Sequence, residues 1–125
     1  HILKLMGDTI LIVEDEGAFR ENLAEYIEDT TDYAVLQASN GMKGLEMYRS
    51  NNPDCILSDN SMPRMGGVEM FYRIREVDSD IPLLLMTSSD VGKIRQDVKI
   101  DVTDFIQKPV ILKEVVEMID RVVGR

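Results

Sequence analysis

A doubly wound α/β domain, with five parallel strands and helices on both faces of the sheet, is predicted by three observations. Five short apolar runs alternate with five stretches of helical periodicity. The connections between them are short. The apolar runs are mostly continuous rather than alternating, as strands covered on both faces should be. Strand–helix alternation of this kind implies parallel strands joined by right-handed crossovers that cover the sheet. A chain of 125 residues, 44% hydrophobic and 30% charged, has the size and composition of one globular domain.

Each element has its own signal. Thr9–Val13 (TILIV) is a β-branched run, and the following helix, Gly17–Asp29, places Phe19, Leu23, Tyr26 and Ile27 on one face. Tyr33–Ala38 is the second strand, and Ser39-Asn40-Gly41 caps a helix carrying Met42, Leu45 and Tyr48. Asn51-Asn52-Pro53 stops that helix before strand three, Cys55–Ser58, which delivers Asp59 at its end. Gly67–Glu76 repeats the helical spacing through Val68, Phe71 and Ile74. Pro82–Met86 is strand four, with proline tolerated at its first position. Asp90–Lys99 is a weaker helix holding Ile94 and Val98. Asp104–Gln107 is strand five, and the last helix, Ile111–Val123, has a near 3.6-residue apolar period. The eight methionines fall mainly in helices and strands, where core or turn packing explains them.

Composition removes several function classes. The formal charge is -9, from 23 acidic against 14 basic residues, so direct nucleic-acid binding by this domain is not expected. The sole histidine is His1, which excludes Ser-His-Asp and Cys-His machinery and any histidine-rich zinc site in the folded body. The single cysteine, Cys55, rules out an internal disulfide, reads as a small buried hydrophobe, and suits a reducing, cytoplasmic compartment. No apolar run approaches the ~20 residues of a membrane span, and the opening residues lack a signal-peptide pattern. Residues 1–7 are expected to be a disordered or cloning-derived segment ahead of a domain over 8–125.

In an open parallel sheet, ligands bind outside the carboxyl ends of the strands. Here those ends are Glu14-Asp15-Glu16 after strand one, Asp59 after strand three, Thr87-Ser88-Ser89 after strand four, and Lys108-Pro109 after strand five. Each alone has an ordinary reading: a solvated helix entry, a cap, a surface lysine. Together they put opposing chemistry on one rim. Two like charges ~4 Å apart cost roughly 4 kcal/mol at an effective dielectric near 20. Lys108 offsets one of the carboxylates of Glu14, Asp15 and Asp59 and leaves two, which a divalent cation would neutralise. Mg²⁺ takes one or two carboxylates with waters and phosphate oxygens, and the Ser61 backbone carbonyl could add another hard ligand. Asp59 would then be placed as a phosphoryl-accepting nucleophile.

The ordered set LIVEDE, CILSDNSMPRMGG, LLLMTS and FIQKP resembles the receiver domain of two-component response regulators over roughly residues 9–123. The resemblance implies the CheY-like, flavodoxin-like strand order 2-1-3-4-5. It also implies that Glu14 and Asp15 hold Mg²⁺ with Asp59 and the Ser61 carbonyl, and that Asp59 is the phosphoacceptor. Lys108 matches the lysine that pairs with the phosphoryl group, Thr87 the switching hydroxyl, Phe105 the aromatic whose rotamer follows it, and Pro109 the proline usually preceded by a cis bond. The implied partner is a sensor histidine kinase or phosphotransfer protein, with an effector domain or a second copy of the chain as a possible further partner. No enzyme activity is implied beyond the domain's own aspartyl phosphorylation and dephosphorylation.

Departures from the family pattern are specific. Gly17 stands where proline is common, Gly66-Gly67 replaces the usual Asp-Gly, and Val110 replaces a frequent Phe. Lys99-Ile100-Asp101-Val102 occupies a stretch that is usually small residues around a glycine, and the 21-residue separation of Thr87 and Lys108 is about one residue short. Two other function classes compete with a phosphorylated switch. One is a pseudo-receiver that acts as an interaction module without phosphorylation; Mg²⁺ binding discriminates it. The other is a phosphatase-like hydrolase, disfavoured because Asn60-Ser61 supplies no second acid two residues past Asp59.

Overall fold

A computed structural model describes residues 7–124 of the chain. The expected N-terminal segment, apart from Gly7, lies outside the described residues. Five strands and five helices alternate: β1 (Thr9–Val13), α1 (Gly17–Thr30), β2 (Ala34–Ala38), α2 (Gly41–Asn51), β3 (Cys55–Asp59), α3 (Gly67–Arg75), β4 (Leu83–Thr87), α4 (Val91–Asp97), β5 (Asp104–Gln107) and α5 (Leu112–Val123). The sheet is parallel throughout, in the order β2-β1-β3-β4-β5, the doubly wound, flavodoxin-like arrangement. Among the described residues no helix is long and apolar enough to cross a membrane.

Strand periodicity divides the core in two. Leu11, Val13, Ile56, Leu83, Leu85 and Phe105 face α2, α3 and α4, where Leu45, Met70, Phe71 and Ile74 meet them. Their neighbours Ile10, Ile12, Cys55, Leu57, Leu84 and Met86 face α1 and α5, against Leu23, Ala24, Ile27, Val115 and Ile119. Every residue of β1, β3 and β4 is buried, whereas the edge strands β2 and β5 are only partly covered. This explains why the central runs are continuous in apolar character, and why the strand ends are the first place polar groups can sit. Burial pushes the Cys55 thiol up to about 12, with the nearby Asp54 charge adding to it, so it behaves as a packed hydrophobe.

Some sequence expectations change: Pro82 precedes β4, which runs Leu83–Thr87 rather than Pro82–Met86. Met42 does not share the α2 core face with Leu45: it is 53% exposed. Gly41, Gly44 and Leu45 are the buried positions instead. A Cβ at Gly44 would lie 2.7 Å from Met70 Sδ and 2.9 Å from Val13 Cγ2, so glycine lets the α2 backbone itself approach the sheet. The weak fourth helix is shorter than expected, seven residues with none buried. Lys99–Val102 is irregular chain, tied to α3 by the Lys99 N–H to Tyr72 Oη (3.1 Å) and by Arg75 Nε to the Asp101 carbonyl (2.8 Å).

Candidate functional site

The carboxyl ends of β1, β3, β4 and β5 converge on one rim. Glu14 follows β1 directly and is almost fully buried, because its backbone N–H continues the ladder to the Ala38 carbonyl at 3.0 Å. Its Oε2 accepts from the Glu16 N–H at 3.2 Å, and Arg20 Nη1 donates to its carbonyl at 2.8 Å. Asp59 closes β3 and is buried to 6% exposure. Its strand is held there by the Asn60 N–H to Met86 carbonyl bond (3.0 Å). Gly67, the first residue of α3, packs against this strand end: a Cβ there would collide with the Asp59 carbonyl oxygen and lie 2.9 Å from both Leu85 Cδ1 and Ser58 Oγ. The glycine pair therefore serves a close backbone approach beneath the acid.

Lys108 joins the two buried carboxylates. Its Nζ lies 2.8 Å from Asp59 Oδ1 and 3.1 Å from Glu14 Oε1. Burial raises Glu14 above the ordinary carboxylate range, and the Asp59 charge acts in the same direction against the bonds from Glu16 and Lys108. For Lys108, burial pulls downward, but its hydrogen bonds to Asp59 and Glu14 outweigh it and hold the ammonium above the usual lysine value. The lysine also stands 5.1 Å over the Phe19 ring. Beside it opens a cleft of about 440 Å³ lined by Glu16, Phe19, Ser88, Lys108, Pro109 and Val110.

Glu14, Asp15 and Asp59 present carboxylate oxygens that all lie within 4.8 Å of one another. An all-oxygen carboxylate set of this kind suits a hard cation. Three carboxylates against one ammonium leave two negative charges, matching a divalent ion.

Of the remaining expected residues, Thr87, Ser61 and Pro109 lie at the strand ends and Phe105 does not. Thr87, 2% exposed, ends β4; its Oγ1 accepts from the Ser89 N–H at 3.0 Å, and its carbonyl accepts from the Lys108 N–H at 2.8 Å. The Lys108–Pro109 peptide is cis, as the resemblance implied. Ser61 lies exposed in the turn two residues past Asp59. Phe105 is not at the acidic pocket: it is buried in β5 on the α4 side, with the Arg95 guanidinium 4.6 Å over its ring and paired with Asp104 at 3.4 Å. Sequence reasoning did not find the supporting roles of Phe19, Arg20 and Gln107, whose partners are brought near only when the helices and strand ends pack together. Gln107 could have been noticed, since a polar residue follows the apolar pair Phe105-Ile106 at the strand's end.

An acidic, lysine-bridged pocket lies at the carboxyl rim of a doubly wound, flavodoxin-like sheet. A family model for the response regulator receiver domain matches residues 10–120. The chain belongs to the response regulator receiver domain family. It is 34% identical over 110 residues to the response regulator MprA of Mycobacterium ulcerans, an alignment covering 87% of this chain and 47% of that protein. The chain thus spans about half the length of the curated relatives it matches. Among solved structures, the non-phosphorylated HemR receiver domain of Leptospira biflexa superposes with a TM-score of 0.83 at 28% identity, covering 94% of this chain and 95% of the other. The chemotaxis protein CheY4 of Vibrio cholerae gives a TM-score of 0.85 at 25% identity, covering 92% and 98%.

Proposed function

We propose that this receiver domain, over residues 8–125, is a phosphorylatable switch whose acceptor is Asp59. The observation that carries the reading is the Asp59 carboxylate at the strand end, with Lys108 Nζ at 2.8 Å and the Glu14 and Asp15 carboxylates beside it. One Asp59 oxygen attacks phosphorus of a phosphohistidine on a sensor kinase or phosphotransfer protein; the P–N bond breaks and the imidazole leaves with the electron pair. Lys108 pairs with the incoming phosphoryl oxygens, and the Thr87 hydroxyl turns toward them, with Phe105 following on the α4 side. Glu14, Asp15, Asp59 and the Ser61 carbonyl would hold Mg²⁺, which when bound offsets charge on the transferred group. The switched surface acts on an effector domain or a second copy, and not directly on nucleic acid, given the net charge of -9. A single buried thiol is compatible with the cytoplasm. The domain's chemistry is confined to its own aspartyl phosphate.

The test is incubation with a small acyl phosphate and Mg²⁺, followed by intact mass. One added phosphoryl group is expected, absent with EDTA and absent in Asp59→Asn. A phosphorylation-independent interaction module is the second reading, favoured by a short α4 with no buried residue. It requires no Mg²⁺ binding and no adduct.

A further inference from the structure

Gln107 ties its own strand end to the β4–α4 connection through its side-chain amide. In register it lies opposite Thr87. It stands two residues after Phe105 and so shares the α4 face of β5, while Lys108, one residue on, reaches the acidic pocket. Its Nε2 donates to the Thr87 carbonyl at 3.1 Å and to the Ser89 carbonyl at 3.0 Å, with a longer contact to its neighbour's carbonyl at Lys108 (3.5 Å), and its Oε1 accepts from the Val91 N–H at 3.3 Å. One amide side chain thus spans the whole β4–α4 connection.

That connection has little else to hold it. Ser88, Ser89 and Asp90 are exposed, and α4 buries no residue. At the start of α4 the Asp90 side chain accepts from the Gly92 and Lys93 N–H groups, leaving the Val91 N–H to Gln107. Inside the loop, Thr87 Oγ1 accepts from the Ser89 N–H. Turning the Thr87 hydroxyl toward Asp59 breaks that bond, and Gln107 fixes the two carbonyls that flank it.

We propose that Gln107 is a positioning residue: it staples the β4–α4 loop in the arrangement that keeps the Thr87 hydroxyl on the Ser89 N–H, and so sets how readily the domain takes up a phosphoryl group. This rests on the proposed phosphorylation of Asp59. Gln107→Met keeps length and neutrality and removes the side-chain hydrogen bonds at a surface position. Half-maximal labelling is expected at about three- to tenfold lower acyl phosphate in Gln107→Met than in the wild type, because the competing loop state is weakened. In a Thr87→Val background the same substitution should shift nothing, a result a merely structural role would not produce. Amide hydrogen exchange at Ser89 and Val91 in the unlabelled protein should accelerate in Gln107→Met. A wild type that labels normally while Gln107→Met leaves the half-point unmoved overturns the inference, as does an equal shift with and without Thr87. A wild type that takes no phosphoryl group overturns the function instead, and the exchange rates still decide whether the staple exists.

Discussion

At the scale of single residues, the site is a balance between burial and charge. Glu14 and Asp59 are buried carboxylates that tolerate one another because Lys108 bridges them. Removing the lysine leaves two like charges facing each other with no counter-ion, so Lys108→Met should lower stability in Mg²⁺-free buffer. The pH dependence follows from the raised lysine value. A group bound more strongly to its proton in the folded state stabilises that state fully below its unfolded pKa, ~10.4 for lysine, and loses this as pH rises through the folded value. Denaturant midpoints of the cation-free protein should therefore fall from about pH 10 upward, and this decline should be smaller in Lys108→Met. The residue types at the pocket were legible because acids, a hydroxyl and a lysine ended four different strands. Phe19 and Arg20 were not: each looks like an ordinary helix-face residue until α1 packs against β2, β1 and α5 and brings them to Lys108 and the Glu14 carbonyl.

At the scale of elements, the glycines report close approaches. Gly67 starts α3 where its Cα nearly touches the end of β3, and the atoms in the way are the Asp59 carbonyl and buried side chains. Gly67→Ala should cost about 1–3 kcal/mol in urea unfolding, and should also perturb the Asp59 amide resonance. Unchanged stability would mean α3 can retreat without moving the acid. Strand and helix identities were readable throughout, and β5 was bounded correctly at both ends. The elements that drifted did so for local reasons. Pro82 precedes β4 rather than opening it, and β4 extends instead to Thr87. The fourth helix ends at Asp97 because Tyr72 and Arg75 of α3 take up the backbone groups of the following segment. Such tertiary hydrogen bonds leave no periodic trace in a sequence.

For the whole molecule, parallel topology explains why a candidate site and the family were legible at all. A sheet buried on both faces has only its ends for polar chemistry, so an ordered set of polar residues after successive apolar runs reads directly as a site. Contacts between loops, such as Gln107 with the β4–α4 connection, depend on how the rim closes and are visible only in three dimensions. A ligand bound by the folded rim alone also couples to global stability. If Glu14, Asp15 and Asp59 hold Mg²⁺, a concentration a hundred times its Kd should add about 2.7 kcal/mol, raising Tm by about ten degrees. Asp15→Asn alters an exposed side chain and should keep the fold while losing most of that increment. An equal Tm gain in wild type and variant would point to weak surface binding.

The most direct measurement places the phosphoryl group on one atom. The Mg²⁺- and acyl-phosphate-treated protein is reduced with borohydride, which converts an aspartyl phosphate to homoserine, and its peptides are sequenced by tandem mass spectrometry. Homoserine at position 59, and at no other acidic residue, is the expected result. Reduction products spread over Asp15, Asp59 and surface acids, or an unmodified Asp59, would contradict the assignment of this carboxylate as the acceptor.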